Sequence, residues 1–158
     1  MIAKVHIVED SALKTMNISL FLKENFPFFS NIEISGSYQS AIRAITETKP
    51  DLIILDMTLP TFDRKPNTRE GRMRPLGGYD LMHKMDFRSI SAHVIVVTQL
   101  ETFGEGDEEI SFSEVTSRCK RDFPNIFCGS VYYDQSGMNW QSELKKLVQI
   151  VLDKIEKQ

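Results

Sequence analysis

Four residues in this chain are of the right types, and at the right places, to handle a phosphoryl group: Glu9, Asp10, Asp56 and Thr98. Each follows a short apolar run. A-K-V-H-I-V leads into Glu9-Asp10, D-L-I-I-L into Asp56 and H-V-I-V-V into Thr98. Three carboxylates gathered at one place repel each other unless a divalent cation sits among them. Oxygen-only ligands favour Mg²⁺, which takes few protein carboxylates and keeps water and phosphate oxygens. A carboxylate held beside such an ion can attack a phosphoryl donor and form an aspartyl-phosphate. The transition state of that transfer is loose, so positioning and charge neutralisation supply most of the catalysis.

These residues can meet only if the elements carrying them converge. Short β-branched runs alternate with helical stretches along the whole chain. Residues 3–8 form the first strand, and Ser11 is placed to cap a helix over 12–25. In that helix Leu13, Met16, Leu20 and Phe21 recur at helical spacing, and Pro27 ends it. Residues 31–36 alternate as a strand with Ile32 and Ile34 on one face, and 38–48 make a second helix that turns Ala41, Ile42 and Ile45 to the core. The run 51–56 is continuously apolar up to its final acid, the mark of a central parallel strand covered on both faces. Residues 93–98 share that character, and 126–133 supply a fifth strand. The last helix carries Trp140, Leu144, Leu147, Val148, Val151, Leu152 and Ile155 as one apolar stripe.

Five strands alternating with helices predict an open parallel sheet with right-handed crossovers. Such sheets place their ligand site at the carboxyl ends of the strands, beside the point where strand order reverses. Glu9-Asp10, Asp56 and Thr98 all stand at such ends.

The 158 residues suffice for one domain with a proper core and are too few for two ordinary ones. A net charge of −3 gives no bulk attraction to nucleic acid or to anionic lipid, so a protein partner or small ligand is the better expectation. No apolar run is long enough to span a bilayer, and the start lacks the basic region and cleavage site of a signal peptide. Cys119 and Cys128 lie outside any C-x-x-C pattern and read as free thiols of a reducing, cytoplasmic setting. The Phe26-Pro27-Phe28-Phe29 cluster reads as an anchor closing the first helix. His6, His83 and His93 show no metal-ligand spacing.

The strings V-H-I-V-E-D-S, K-P-D-L-I-I-L-D-M-T-L-P and H-V-I-V-V-T resemble the receiver domain of two-component response regulators. The second is the most specific, close to the family's phosphoacceptor strand and the loop after it. The resemblance runs from residue 3 to about 155. It implies a flavodoxin-like α/β fold, a doubly wound five-stranded parallel sheet in the order 2-1-3-4-5 with helices on both faces. It further implies that Asp56 is the phosphoacceptor and Thr98 the switch hydroxyl. Asp10, Asp56 and the backbone carbonyl of Thr58 would ligate Mg²⁺, with Glu9 acting largely through water. Tyr132 and Tyr133 lie where the family has its switch aromatic, and strand alternation turns one of them inward.

The chain departs from the family in three places. Receivers carry a lysine at the end of the fifth strand that pairs with the phosphoryl group, whereas no lysine lies between Lys120 and Lys145 here. The spacing is stretched over 61–77, a basic inserted loop with Arg64, Lys65, Arg69, Arg72 and Arg74. One of its cations, Arg64, Lys65 or Arg69, could reach the phosphoryl group, or the loop could be solvated charge or a docking surface. A second extended loop, 99–110, is acidic and begins with Gln99 where the family has a small residue.

The chain ends with its last helix, so the expectation is a single-domain, stand-alone regulator. It would accept phosphoryl groups from a histidine kinase or phosphotransfer protein and then signal to a downstream partner or pass the group on. The alternative is a pseudo-receiver, an interaction module that phosphate does not switch. Enzymes are disfavoured. Aspartyl phosphatases of related fold place a second Asp two residues after the nucleophile, where Thr58 stands, and no P-loop or G-x-G-x-x-G turn is present.

Overall fold

The computed structural model describes residues 3–63 and 72–157. Its centre is a parallel sheet of β1 (Ala3–Val8), β2 (Phe29–Ser35), β3 (Leu52–Leu55), β6 (His93–Thr98) and β9 (Phe127–Tyr132), ordered β2-β1-β3-β6-β9. Counting these five strands alone, the order is 2-1-3-4-5, as expected from the sequence. All four residues of β3 are buried, and five of the six in β6, because helices cover both faces.

One face is covered by α1 (Ala12–Asn25) and α5 (Asn139–Glu156), the other by α2 (Tyr38–Thr48), α3 (Gly77–Phe87) and α4 (Phe112–Asp122). Serines start three of these helices. Ser11, Ser37 and Ser111 each accept a backbone N–H three residues on, which satisfies a donor that the first helical turn leaves free. Strand β2 starts at Phe29, two residues earlier than the alternation indicates, since Phe29 packs with Phe26 and Phe28 beneath the end of α1.

Both stretched regions contain structure of their own. Leu59–Pro60 (β4) pairs antiparallel with Met73–Arg74 (β5), so the 61–77 segment is closed at its base and its last residue already belongs to α3. Arg64, Lys65 and Arg69 lie outside the described residues. The 99–110 segment folds as a hairpin of Thr102–Phe103 (β7) and Ile110–Ser111 (β8), which sends Phe103 and Ile110 into the core. The two hairpins flank a cavity of about 650 Å³ whose lining includes Arg72, Arg74, Asp80, Phe103 and Arg118. No helix among the described residues is long and apolar enough to cross a membrane.

The largest correction to the sequence reading concerns α1. Of the four residues at helical spacing, Phe21 is buried, while Leu13, Met16 and Leu20 are 55%, 52% and 51% exposed. The face turned to the sheet is Lys14, Thr15, Ile18, Phe21 and Leu22. The helix is rotated so that a lysine, and not the leucine beside it, points at the strand ends.

Candidate functional site

Parallel pairing brings the predicted residues to one sheet edge. Val8 pairs with Leu55 and Leu55 with Val96, so Glu9-Asp10, Asp56 and Thr98 leave the three adjoining strands at neighbouring levels. The Asp56 backbone N–H donates to the Val8 carbonyl at 3.0 Å, which extends the β1–β3 pairing to the acid itself.

The start of α3 supports the turn after Asp56 from below. Gly78 donates its N–H to the Met57 carbonyl at 2.8 Å. A Cβ at Gly78 would lie 2.6 Å from the Asp56 carbonyl oxygen, closer than packing allows, so glycine is required for this approach. Thr58 donates its hydroxyl to the Pro75 carbonyl at 2.9 Å, which ties the same turn to the segment leading into α3.

Glu9 is buried and fully engaged. Its Oε2 accepts the backbone N–H of Asp10 at 2.8 Å and of Ser11 at 3.0 Å, and its Oε1 pairs with the Lys14 ammonium. Asp56 accepts the Met57 N–H on Oδ1 at 2.8 Å and faces Lys14 with Oδ2 at 3.5 Å. Burial pushes the Asp56 carboxyl well above the usual carboxylate range, to about 7. Lys14 and the Met57 N–H act against that shift, whereas the neighbouring Glu9 adds to it.

Lys14 is the residue that sequence reasoning missed. It is 1% exposed, and its ammonium meets three acceptors: Glu9 Oε1, Asp56 Oδ2 and the Val97 carbonyl, the last at 2.8 Å. The ammonium donates a hydrogen bond to the carbonyl and is ion-paired with the two carboxylates. The Tyr133 ring stands 5.6 Å from the ammonium and shields one side. A signal was present in the sequence. Lys14 is a cation in the first turn of a helix, where the macrodipole disfavours positive charge, and two acids immediately precede that turn. A lysine there needs a compensating partner, and Glu9 supplies it.

The other predicted residues sort as follows. Thr98 is buried, and its hydroxyl oxygen lies within reach of the Leu100 N–H at 3.4 Å. Tyr133 is the inward tyrosine; its hydroxyl accepts from Asn17 at 2.9 Å, and its backbone N–H donates to the Thr98 carbonyl at 2.8 Å. Tyr132 is exposed and meets Phe112 edge to face. Gln99 is exposed at the rim, its side-chain oxygen 3.4 Å from the Gln135 amide.

Among the described residues no three His, Cys, Asp or Glu side chains are arranged to hold a metal ion. Glu9 is already committed to two amides and Lys14. Asp10 follows Glu9 at the end of β1 and Asp56 closes the neighbouring β3, so two further carboxylates and the backbone carbonyls of these strand ends make up a sparse oxygen donor set. That chemistry suits Mg²⁺, which takes one or two carboxylates and retains its waters, rather than an ion that needs a full protein cage.

No protein-family model matches the chain. Over 147 residues it is 35% identical to the Detocs response regulatory protein DtcB of Enterobacter cloacae (strain JD6301), an alignment covering 92% of this chain and 97% of that protein. The fold matches the signal receiver domain of a putative LuxO repressor protein from Vibrio parahaemolyticus with a TM-score of 0.65, at 21% identity over 99% of this chain and 94% of that one. It likewise matches a response regulator receiver domain protein from Clostridium thermocellum with a TM-score of 0.63, at 15% identity over 98% and 97% of the two chains. Relatedness along nearly the full length, together with the shared fold, leads to one assignment: the chain belongs to the response-regulator receiver family.

Proposed function

We propose that this receiver accepts a phosphoryl group on Asp56 from a histidine kinase or phosphotransfer protein, in a Mg²⁺-dependent reaction, and signals by partner binding or by passing the group on. The observation that carries this reading is the gathering of Glu9, Asp56 and Thr98 at three adjacent strand ends around a buried cation.

In this mechanism an Asp56 carboxylate oxygen attacks phosphorus as the bond to the donor's leaving atom breaks, and the leaving group departs with the electron pair. The Met57 N–H holds the other Asp56 oxygen, which fixes the carboxylate plane before attack. Mg²⁺, bound through Asp10 and Asp56 with the Thr58 carbonyl, would neutralise charge on the transferring oxygens. Glu9 sets the position of the Asp10 and Ser11 backbone through two hydrogen bonds. The Thr98 hydroxyl, at the end of the adjoining strand, takes a phosphoryl oxygen once the group has arrived. That movement changes the β7–β8 hairpin which follows directly, and with it the surface presented by α4.

The test is intact mass after incubation with acetyl phosphate and Mg²⁺, beside an Asp56→Ala control. A phosphate-sized gain that needs both Asp56 and Mg²⁺ is the expected result. No gain from acetyl phosphate or from a phosphohistidine donor would refute the proposal and leave the chain as a pseudo-receiver.

A further inference from the structure

Resting on that reading, we infer that Lys14 is the catalytic cation of this pocket, contributed by α1 in place of a lysine from the fifth strand. The end of β9 offers no positive charge. Val131, Tyr132, Tyr133 and Asp134 follow one another there, and the inward member, Tyr133, places its ring against the Lys14 ammonium. The charge therefore enters from α1, which turns Lys14 inward together with Ile18, Phe21 and Leu22.

The three contacts of the ammonium differ in a useful way. Two are tight, to Glu9 and to the Val97 carbonyl, and both acceptors are built into strand ends. The third, to Asp56 Oδ2 at 3.5 Å, is long. Attack by Asp56 on acetyl phosphate breaks the bond from phosphorus to the acetyl oxygen, so a carboxylate of charge −1 becomes an acyl phosphate of charge −2 and acetate leaves with the electron pair. The side of the ammonium that faces Asp56 can take a phosphoryl oxygen without releasing the other two anchors. Because the group is buried and pre-oriented, its attraction for the incoming charge is little screened and needs no reorganisation during transfer. The Val97 anchor also puts this cation one residue from Thr98, so the same ammonium contacts both the phosphoacceptor and the strand that carries the switch hydroxyl.

The experiment compares wild type, Lys14→Met, Glu9→Gln and the Glu9→Gln/Lys14→Met pair, each verified as folded by circular dichroism. Two readouts are taken with Mg²⁺ present: the rate of phosphate gain from acetyl phosphate by intact mass, and the affinity for beryllofluoride by ¹⁹F NMR. Lys14→Met is expected to slow phosphate gain about 100-fold and to weaken beryllofluoride binding at least about tenfold. If the single variant does not fold with Glu9 left unpaired, the pair is judged against Glu9→Gln alone and is expected to be at least about tenfold slower. Rates within about twofold in either comparison would overturn the role of Lys14 while leaving Asp56 phosphorylation standing. A wild type that neither gains phosphate nor binds beryllofluoride would instead overturn the parent reading, and the role of Lys14 with it.

Discussion

Helices α1 and α5 lie side by side on one face of the sheet and share a core, with Phe21 of one set edge-on against Trp140 of the other at 5.4 Å. Their sequences are read in opposite ways. In α5 the apolar stripe is the buried face, with Trp140, Leu144, Val148, Val151 and Leu152 all inside. In α1 three apolar residues of the apparent stripe face solvent and a lysine is inside. Packing alone decides the orientation of α5. In α1 the first turn is oriented by charge, since the Glu9 carboxylate and Val97 carbonyl at the strand ends capture Lys14, and the later turns follow with Ile18, Phe21 and Leu22. A helix over a functional edge can bury a lysine where its ion-pair partners stand and still leave several apolar residues at the surface.

The strongest way to break this comparison is to remove the charge. Lys14→Met keeps length and adds apolar surface, which an ordinary core position would accept. Here it leaves Glu9 buried without its cation, and the expected loss is about 4 kcal/mol. Glu9→Gln/Lys14→Met removes both charges and is expected to recover most of that loss. Urea unfolding of the two variants measures both, and equal stability of Lys14→Met and wild type would mean that α1 is oriented by packing after all. The mirror-image change in α5 is Leu144→Ala, at a fully buried position. A cavity there is expected to cost about 3 kcal/mol, with no effect on phosphate gain beyond that of stability.

Asp56 supplies the next largest effect, and it separates the site from the rest of the sheet. Its carboxyl is held near pH 7 by burial in the folded protein, whereas in the unfolded chain it ionises near pH 4. Between those values the folded state retains a proton that the unfolded state has released, so this group lowers stability progressively as pH rises and does so fully above 7. Asp56→Asn should therefore be more stable than wild type at pH 8 in EDTA. The difference should shrink as pH falls through 7 and vanish below about 4. Thermal melts across pH 4–8 would show it, and a pH-independent difference would place the cause outside Asp56 ionisation.

The sequence was legible wherever one physical effect acted alone. The bounds of α1 follow from Ser11 and Pro27, the parallel sheet follows from alternating strands and helices, and its strand order follows from the resemblance to receivers. Asp56 and Thr98 were visible because a polar residue closing an apolar strand marks the sheet's carboxyl edge. The local signal at Lys14, a cation in a first helical turn after two acids, points to Glu9 alone, and its link to Asp56 and Val97 was hidden because these strand ends meet only in the fold. The β4–β5 and β7–β8 hairpins were hidden for a related reason. Two-residue strands carry too little alternation to register as a pattern, and they are held instead by contacts such as Phe103 and Ile110 in the core.

The smallest expected effect sharpens the comparison most economically. Leu20 stands on α1 in the apolar pattern that the sequence displays, yet half of it is exposed. If the inward face of α1 is set by Lys14, Ile18, Phe21 and Leu22, Leu20→Gln removes nothing that holds the helix to the sheet. Glutamine and leucine also differ little in helix propensity. The expected change is within about 0.5 kcal/mol by urea unfolding, against about 3 kcal/mol for Leu144→Ala in the matching helix. A loss for Leu20→Gln above about 1.5 kcal/mol would exceed what an exposed leucine can contribute. It would mean that the outer face of α1 is covered in solution, and that α1 and α5 differ in what covers their apolar residues rather than in whether they are covered.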